Sequence, residues 1–499
     1  MLLLRQRAAR SAGRVLLRRV ASTKVRAAPP PADDAAPEDD AEFERLSPTE
    51  HVLRRPGLYI GSTSAQSEPL WLLDEASGRM EWREAAYVPG LYKLFDEILV
   101  NALDNRQRDP KGTTEIAVTI DAETGRTSVT NTGRGIPVRM HEGEGVWIPE
   151  MVMGSLFSGS NFDDARNAKR TVGGRHGFGA KLTNLFSSAF EVETVDTEAG
   201  LRYAQRWAAN MSERSEPEIS ELKKKRAKDL TAVTFTPDLA RFGLDSLPPD
   251  MLAILRRRVY EAAATAAPAR VLLDGERVPI GGLADLARMY AGGGGGDGGG
   301  GADELAFEHV DGRWKVGACR SPTGSFQAVS FVNGVATARG GTHVNHVANA
   351  LLSALVPALK LPASSGVTPG RVKPHLMLFV DCLVDNPEFD SHPKETLITP
   401  AAAFGGTCEL PAAFVRRVAK LSGLRAAIEG EVAVRDTQAL AKAAATSRVL
   451  NMKKLEDAED AGGKNAAQCT LIVAEGDSAK AFADAGLEVV GRQRYGVFA

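Results

Sequence analysis

The sequence is poor in cysteine, has almost no net charge and contains no long apolar run. Its four cysteines, Cys319, Cys382, Cys408 and Cys469, lie far apart and form no CxxC pair. This spacing argues against a disulfide framework or a zinc site and fits a reducing compartment. The formal net charge of −2 gives the chain no overall field for nucleic acid, so any such contact has to come from local basic patches. No stretch approaches the roughly 20 apolar residues that span a bilayer, so we expect no membrane contact.

The length and composition are those of a folded protein with more than one domain. With 499 residues, the chain is long enough for two or three domains, each with its own core. Hydrophobic residues make up 43% and charged residues 25%, which is typical of a soluble globular protein. One segment departs from this composition: GGGGGDGGGG at 292–301 cannot pack, so it predicts a flexible surface loop.

The N-terminus has the composition of a leader. Residues 1–32 contain seven arginines and no acidic residue, with apolar residues between the arginines. An Arg-rich, acid-poor, amphipathic segment is typical of an organelle transit peptide, although a basic tail or nuclear signal has a similar composition. The proline-rich, acidic stretch at 29–42 predicts a solvated linker.

Hydrophobic periodicity predicts alternating helices and strands. Helical spacing covers 91–106, 252–267 and 343–360, and strand patterns cover 115–120, 127–130, 231–237, 313–319, 327–332 and 375–384. CTLIVAEGDSA near the C-terminus predicts a buried strand that runs into a carboxylate-bearing turn. This order of elements indicates the α+β class.

The helix predicted around residue 100 carries polar groups in register. Glu97, Asn101 and Asn105 are four residues apart, so they share one helical face beside apolar neighbours. Taken alone, this face could be a solvated polar stripe. A functional interpretation needs partners elsewhere in the chain.

Two glycine-rich motifs supply candidate partners. TNTGRGIP puts Asn131 at a strand end, where an amide can read a purine edge, and Gly133 and Gly135 allow a close backbone approach. GGRHGFGAK at 173–181 precedes a helical LTNLF, and together they could form an anion cradle suited to phosphates. The second motif does not fit the Walker pattern, because Leu182 follows Lys181. Either motif alone could be an ordinary turn or surface loop.

In this order, the three elements resemble the GHKL ATPase family. Further segments resemble motifs of the type IIA DNA topoisomerases, in the form closest to the eukaryotic single-chain enzyme. They are RRPGLYIGS at 54–62, YVPGLYKLFDEILVNALDN at 87–105, LFSGSNFDD at 156–164, GGRHGFGAKLTNLFS at 173–187, FVNGVATARGGTHV at 331–344, NPEFDSHPKE at 386–395 and AEGDSAKAFADAGLEVVGRQRYGVF at 474–498. The similarity runs from about residue 42 to the C-terminus and is interrupted by the glycine run.

The resemblance implies a fold of known layout. It predicts a GHKL (Bergerat) ATPase α/β sandwich, then a transducer domain like ribosomal S5 domain 2, then the start of a TOPRIM domain. The expected bounds are a leader over 1–45, the ATPase domain over 46–284, the transducer over 285–421, a linker over 422–465 and the partial TOPRIM domain over 466–499.

The resemblance also implies roles for individual residues. Glu97 matches the general base that activates water, and Lys394 matches the lysine that reaches the γ-phosphate from the second domain. Asn101 matches the ligand of the ATP-bound Mg²⁺, and Glu475 matches a metal-binding carboxylate of the TOPRIM domain. The residues that match nucleotide-binding positions are Asn101, Asn105, Asn131, Gly133, Gly135, Gly159, Ser160, Asn161, Gly174, Arg175, His176, Gly177, Phe178, Gly179, Ala180, Lys181, His392 and Pro393.

Some positions depart from the family pattern. His392, Pro393 and Lys394 stand where the family has Gln-Thr-Lys, which predicts a stiffer loop without the glutamine amide. His176 stands where an Asn is usual, and Leu103 where a small residue is usual. LKLPA at 359–363 replaces a lysine-rich loop expected to touch DNA, so DNA contact is in doubt there.

Other polar clusters have ordinary explanations. The basic run at 223–228 could contact phosphates but is typical of a solvated loop, and the arginines at 256–258 predict a solvated helix face. His343 and His346 are three residues apart, but no further ligand lies at metal-binding spacing, so we expect no metal there.

The resemblance implies an ATP-hydrolysing, Mg²⁺-dependent homodimeric gate of an enzyme that passes one DNA duplex through another. Ala499 precedes the remaining TOPRIM carboxylates and the cleavage tyrosine, so the expectation is that this chain alone hydrolyses ATP only. Alternatives are a bacterial gyrase B type protein, a GHKL protein of another class, and a non-catalytic ATP- or DNA-binding clamp or dimerisation module. The leader favours a mitochondrion or plastid, with the nucleus as the alternative.

Overall fold

A computed structural model describes residues 44–156, 158, 171, 177–223, 227–291, 304–362, 365–391, 393–447 and 455–499. The leader to residue 43, the glycine run to residue 301 and residues 224–226 of the basic run at 223–228 lie outside the described residues. So do Gly159, Ser160, Asn161, Gly174, Arg175, His176 and His392, seven of the predicted site residues.

A nine-stranded sheet forms the first half of the chain. Its strands run in the order β11-β10-β3-β4-β9-β5-β6-β7, and β8 also pairs with β6. Most pairs are antiparallel, whereas β10 and β3 run parallel. The strands are β3 (Glu115–Ile120), β4 (Thr127–Thr132), β5 (Ser187–Asp196), β6 (Leu201–Ala208), β7 (Glu213–Arg214), β8 (Glu218–Glu221), β9 (Leu230–Pro237), β10 (Arg270–Leu273) and β11 (Glu276–Arg277).

Side chains of β3, β4 and β9 alternate between buried and more exposed positions, because successive residues of a strand point to opposite faces. Helices cover the buried face of the sheet. The longest helix is α2, which begins at Pro89, a residue suited to the first helical turn, and buries the apolar stripe that the periodicity predicts. The helices of this half are α1 (Pro48–Arg54), α2 (Pro89–Arg108), α3 (Ile148–Gly154), α4 (Gly179–Leu185), α5 (Pro249–Ala266) and α6 (Leu283–Ala291).

A separate antiparallel hairpin of the first half packs against the second half of the chain. It consists of β1 (Gln66–Asp74) and β2 (Arg79–Tyr87). Trp71 of the hairpin donates its indole N–H to the side-chain oxygen of Gln327 at 2.7 Å. Its ring packs at 5.1 Å from Tyr290, which in turn packs at 5.5 Å from Phe379.

The second half of the chain is built on a five-stranded mixed sheet, in the order β12-β13-β16-β14-β15. All seven residues of its central strand are buried, since β16 pairs with a strand on each side and both of its faces are covered. The elements are β12 (Leu305–Val310), β13 (Trp314–Arg320), β14 (Gln327–Val332), β15 (Val335–Ala336), α7 (Thr342–Ala358), α8 (Pro369–Val372), β16 (Leu376–Cys382) and α9 (Ala412–Ala419).

A long helix and a small sheet complete the described chain. They are α10 (Leu424–Ser447), β17 (Leu455–Glu456), β18 (Thr470–Val473), α11 (Asp477–Val490) and β19 (Tyr495–Phe498), with the strand order β17-β19-β18. The prediction that β18 is buried is wrong, because Leu471 is 50% and Val473 72% exposed. Within the described residues, no further layer covers this strand.

The two large sheets share part of one core. Phe331, Met377 and Phe379 of the second sheet belong to the same buried cluster as Leu94, Leu99 and the other core residues of α2. Helix α6 spans the predicted boundary at 284/285 and packs against elements of both halves. The exact domain bounds therefore stay a prediction. None of the described helices is both long and apolar enough to cross a membrane.

Candidate active site

A cavity of about 740 Å³ opens beside α2 and is the natural candidate site. Side chains of α2, α3, α4, β4 and β9 line it, together with Lys394 from the second half of the chain. It therefore brings together three stretches that are far apart in sequence: 97–109, 129–153 and 177–181.

The polar face of α2 points into this cavity. Glu97, Asn101 and Asn105 all line it, as their spacing of four residues predicts. The amide of Asn105 donates to the hydroxyl of Thr113 at 3.2 Å, which orients that side chain. Asp104, only 4% exposed, also lines the cavity. It lies seven residues after Glu97, so the same helical periodicity could have identified it.

Glu97 lies between two ammonium groups. Oε1 of Glu97 is 2.5 Å from Nζ of Lys93, one turn earlier on α2. The same oxygen is 3.4 Å from Nζ of Lys394, which donates to it from the second half of the chain. All three side chains are at most 10% exposed, so solvent screens these contacts weakly.

The charge of Lys394 is set by its surroundings. Burial alone would lower the pKa of its ammonium, but the nearby carboxylates of Glu97, Asp104 and Asp96 outweigh burial and raise that pKa. Lys394 therefore stays a cation over the physiological pH range.

The loop that carries Lys394 is held from both sides. The backbone N–H of Asp390 donates to the carbonyl of Thr396 at 3.1 Å, and that of Lys394 donates to Ser391 at 3.1 Å. Lys394 itself has a φ of +63°, which turns its side chain within this loop. Pro393 is described and lies next to Gly61, where an added Cβ would approach its ring at 3.9 Å.

Gly179 brings helix α4 directly against the Glu97 carboxylate. A Cβ added at Gly179 would lie 1.9 Å from Oε2 of Glu97, so no larger residue fits there without displacing that oxygen. Gly177, Phe178, Ala180 and Lys181 also line the cavity next to it. The described residues of the predicted loop at 174–181 therefore belong to the cavity wall, and their contact with phosphates stays a prediction.

Lys181 is a buried cation at the cavity wall. Its Nζ donates to the carbonyl of Gly177 at 2.6 Å and to that of Ser158. Burial lowers the pKa of its ammonium to about 8, because the charged form loses its hydration.

Asn131 lies opposite α2, at the end of β4. It is 6% exposed, and its amide N–H donates to the carbonyl of Thr132 at 3.0 Å. Its neighbours in the cavity wall include Thr231 and Val233 of β9, which pairs with β4. This combination of one amide and apolar side chains suits a flat, partly polar ring.

The two glycines after Asn131 have different reasons to be glycine. Gly135 lines the cavity, and a Cβ there would lie 2.6 Å from the hydroxyl of Thr194. Gly133 does not line it. Its φ is +95°, and a Cβ would lie 2.3 Å from the hydroxyl of Thr113. Glycine is therefore required at position 133 by the turn itself, and the nucleotide contact of Gly133 stays a prediction.

A cationic rim was missed from the sequence. Arg108, Arg134, Arg139 and His141 all line the cavity. The backbone N–H of Arg134 donates to the carboxylate of Asp109 at 2.8 Å, and this bond is the main reason why the pKa of Asp109 is lowered. Arg134 lies within the NTGRG motif and Arg139 lies four residues after it, so their position in the sequence could have indicated these two.

The arginines at 256–258 do not form a solvated face, so that prediction is wrong. Arg258 is fully buried: its Nε donates to Asp96 at 2.7 Å and its Nη2 to the carbonyl of Gly334 at 2.9 Å. Arg257 donates to the carbonyl of Trp71 at 2.5 Å. Arg258 thus ties α5 to the residue beside Glu97 and to the β14–β15 turn.

Glu475 and the two histidines at 343 and 346 lie elsewhere. Glu475 is exposed just before α11, away from the cavity. His343 is buried, with its Nε2 3.1 Å from the hydroxyl of Thr337, and burial lowers the pKa of its imidazole to about 3. His346 packs against Trp314 and Phe404. No cluster of three or more metal-ligating side chains occurs among the residues that the structure describes.

Comparison with known proteins gives consistent matches along the chain. The family profile described as histidine kinase-, DNA gyrase B- and HSP90-like ATPase matches residues 87–240, and that described as DNA gyrase B matches residues 304–447. The first includes Glu97, Asn131 and Lys181, and the second includes Lys394. The matches therefore cover both sides of the cavity.

A solved structure and two curated relatives that this chain resembles are type II DNA topoisomerases or regions of them. The crystal structure of the ATPase and transducer domains of DNA topoisomerase II from Balamuthia mandrillaris is 41% identical, with a TM-score of 0.73, over 81% of this chain and 100% of that one. DNA topoisomerase 2 of Caenorhabditis elegans is 42% identical over 463 residues, 91% of this chain but 30% of that protein. A putative mitochondrial DNA topoisomerase 2 of the same organism is 42% identical over 482 residues, 94% of this chain and 40% of that protein. The chain thus spans less than half the length of these relatives.

Proposed function

This chain belongs to the family of the ATPase and transducer regions of DNA topoisomerase II, and we propose that it acts as the ATP-operated gate of such an enzyme. The observation that carries this proposal is the meeting of Glu97, from the first half of the chain, with Lys394, from the second, at one cavity wall. The GHKL sandwich with a transducer matches the predicted fold class.

The cavity is suited to hydrolyse ATP. Glu97 acts as the general base that takes a proton from the attacking water, and Lys394 stabilises negative charge on the transferring γ-phosphoryl group. Asn131 and its apolar neighbours receive the adenine ring. Lys181 and the arginines of the rim face the phosphates, whose negative charge compensates the positive charge of these side chains.

Magnesium fits the same wall. Asn101 offers an amide oxygen one turn after Glu97 on the cavity side of α2, and hard oxygen donors are what Mg²⁺ prefers. The ion would neutralise phosphate charge when ATP is bound. Glu475 is proposed for a separate site, in the TOPRIM domain.

ATP can be coupled to movement of the second half of the chain, because Lys394 belongs to that half. Because its loop belongs to the second half of the chain, binding of the γ-phosphate favours one position of that half relative to α2. Hydrolysis removes the contact and releases that position. In this proposal the two parts are the ATPase domain, expected over 46–284, and the transducer, expected over 285–421.

The partners of the gate are proposed from the relatives. Two copies of the chain close on ATP as a homodimer and trap double-stranded DNA, and the whole enzyme passes one duplex through another. Lys360, at the end of α7, is the one lysine that remains of the expected DNA-touching loop.

A mitochondrial location is supported by two observations. The first 32 residues are Arg-rich and acid-free, and one relative is named as mitochondrial. A fusion of residues 1–40 to a fluorescent reporter should enter mitochondria; a nuclear or diffuse signal would remove this proposal.

ATP hydrolysis by the purified chain tests the gate function, measured with and without linear duplex DNA. We expect magnesium-dependent turnover that DNA stimulates. Nucleotide binding without any turnover would instead support a non-catalytic clamp.

A further inference from the structure

Lys93 is a buried lysine that contacts Glu97 but not the cavity. Its side chain is 4% exposed, and its Nζ lies 2.5 Å from Oε1 of Glu97. Lys93 is absent from the cavity wall, which includes Glu97 and Lys394. It can therefore affect a bound nucleotide only through the base.

The nearby charges leave Glu97 as the close partner of Lys93. Asp96 is 4.0 Å from Nζ of Lys93, but its carboxylate is engaged at 2.7 Å by Arg258 of α5. On the other sides of Glu97 lie Lys394, at 3.4 Å, and helix α4, whose charged residue Lys181 is bonded to backbone carbonyls instead.

The two lysines on Glu97 differ in how they can move. Lys93 is on the same helix as Glu97, one turn away, so their distance is fixed by α2 itself. Lys394 comes from a loop of the other half of the chain, so its distance depends on how the two halves are placed.

We propose that Lys93 is a positioning residue for ATP hydrolysis, which holds the Glu97 carboxylate in place through Oε1 whether or not Lys394 is beside it. The inference rests on the proposed function of Glu97 as the base. With Oε1 held by Lys93 and Oε2 against Gly179, the carboxylate cannot rotate freely. The adjacent ammonium also favours the ionised form, which is the form that accepts a proton.

The test is steady-state ATP hydrolysis by the full chain with Lys93→Met, measured as kcat and KM from pH 5.5 to pH 9. We expect kcat to fall at least tenfold while KM for ATP changes less than twofold, because Lys93 does not line the cavity. The acidic limb of the kcat profile should move to higher pH, because the variant loses a cation next to the base. Lys93→Arg, which keeps the charge, should keep the wild-type limb.

Three further variants make the result specific. Lys315→Met removes a lysine from a comparable pair, with Asp381 at 2.7 Å on the second sheet, and should leave kcat and its pH profile unchanged. If Lys93→Met does not fold, Lys93→Gln carries the same expectation. A folded Lys93→Met or Lys93→Gln with wild-type kcat and pH profile would overturn the proposal. Glu97→Gln separates the two ideas: if it still turns over ATP, the function of Glu97 itself is wrong.

Discussion

Glu97 and Lys394 are 297 positions apart in the sequence, yet their side chains meet at 3.4 Å in a buried contact. One residue lies on the helix that forms the wall of the cavity, and the other lies on a loop of the second sheet's domain. In the proposed gate, the state of a bound nucleotide and the position of the second domain influence each other through this contact.

Removal of the Lys394 charge should impair turnover more than binding. In Lys394→Gln, the γ-phosphoryl group loses a preorganised cation, so we expect kcat to fall by roughly 10²–10³-fold. Nucleotide affinity should change much less, since the rim arginines and Lys181 remain. Single-turnover hydrolysis beside equilibrium binding of a non-hydrolysable ATP analogue measures both. Equal losses in both quantities would contradict the assigned role.

Gly179→Ala should stop turnover without unfolding the protein. The new Cβ would lie 1.9 Å from Oε2 of Glu97, so the carboxylate has to leave its position. We expect a loss of at least 10²-fold in kcat. Gly430→Ala is the matched control, because a Cβ there meets nothing within 4 Å on helix α10. A Gly179→Ala protein with normal turnover would show that this carboxylate position is not the active one.

Nucleotide affinity should fall above pH 8. Burial lowers the pKa of Lys181 to about 8. Its side chain is therefore mostly charged at pH 7 and mostly neutral at pH 9. If the charge faces the phosphates, the dissociation constant of an ATP analogue should rise by up to about tenfold over this interval. Lys181→Arg stays charged throughout and should flatten this dependence. An unchanged slope in that variant would place the titrating group elsewhere.

Arg258 should be a major contributor to stability. Arg258→Met leaves Asp96 buried without its arginine, which is expected to cost about 3–5 kcal/mol in the free energy of unfolding. Replacing both residues, with Asp96→Leu and Arg258→Met, should recover part of this loss. Chemical denaturation measures the change. Arg256→Met is the control: its side chain is 24% exposed, and its loss should cost at most about 1 kcal/mol. A similar small effect for Arg258→Met would contradict its structural role.

Local patterns predicted the elements and part of the site. Helix α2 and strands β3, β4 and β9 follow from periodicity, because burial of one face repeats every 3.6 or every two residues. The shared face of Glu97, Asn101 and Asn105 follows from the same geometry. The same spacing places Lys93 on this face, because it lies four residues before Glu97 on α2.

Other features depend on contacts that spacing does not contain. Three consecutive arginines point in different directions around a helix, and only the position of Asp96 on α2 decides that Arg258 is the buried one. The burial expected for β18 was wrong because an apolar strand is covered only where another layer packs on it. Lys394 was assigned from family resemblance, whereas its distance from Glu97 required the packing of two sheets.

The most direct test of the account is ATP hydrolysis by Glu97→Gln beside the wild-type chain, with binding of a non-hydrolysable ATP analogue measured on both. Glutamine keeps the size of the side chain but cannot accept the proton from water. We predict that the wild type hydrolyses ATP, that the variant binds the analogue with an affinity within a few-fold of the wild type, and that its turnover is at least 10²-fold lower. A variant that hydrolyses ATP at the wild-type rate would contradict the claim that Glu97 is the base at this cavity.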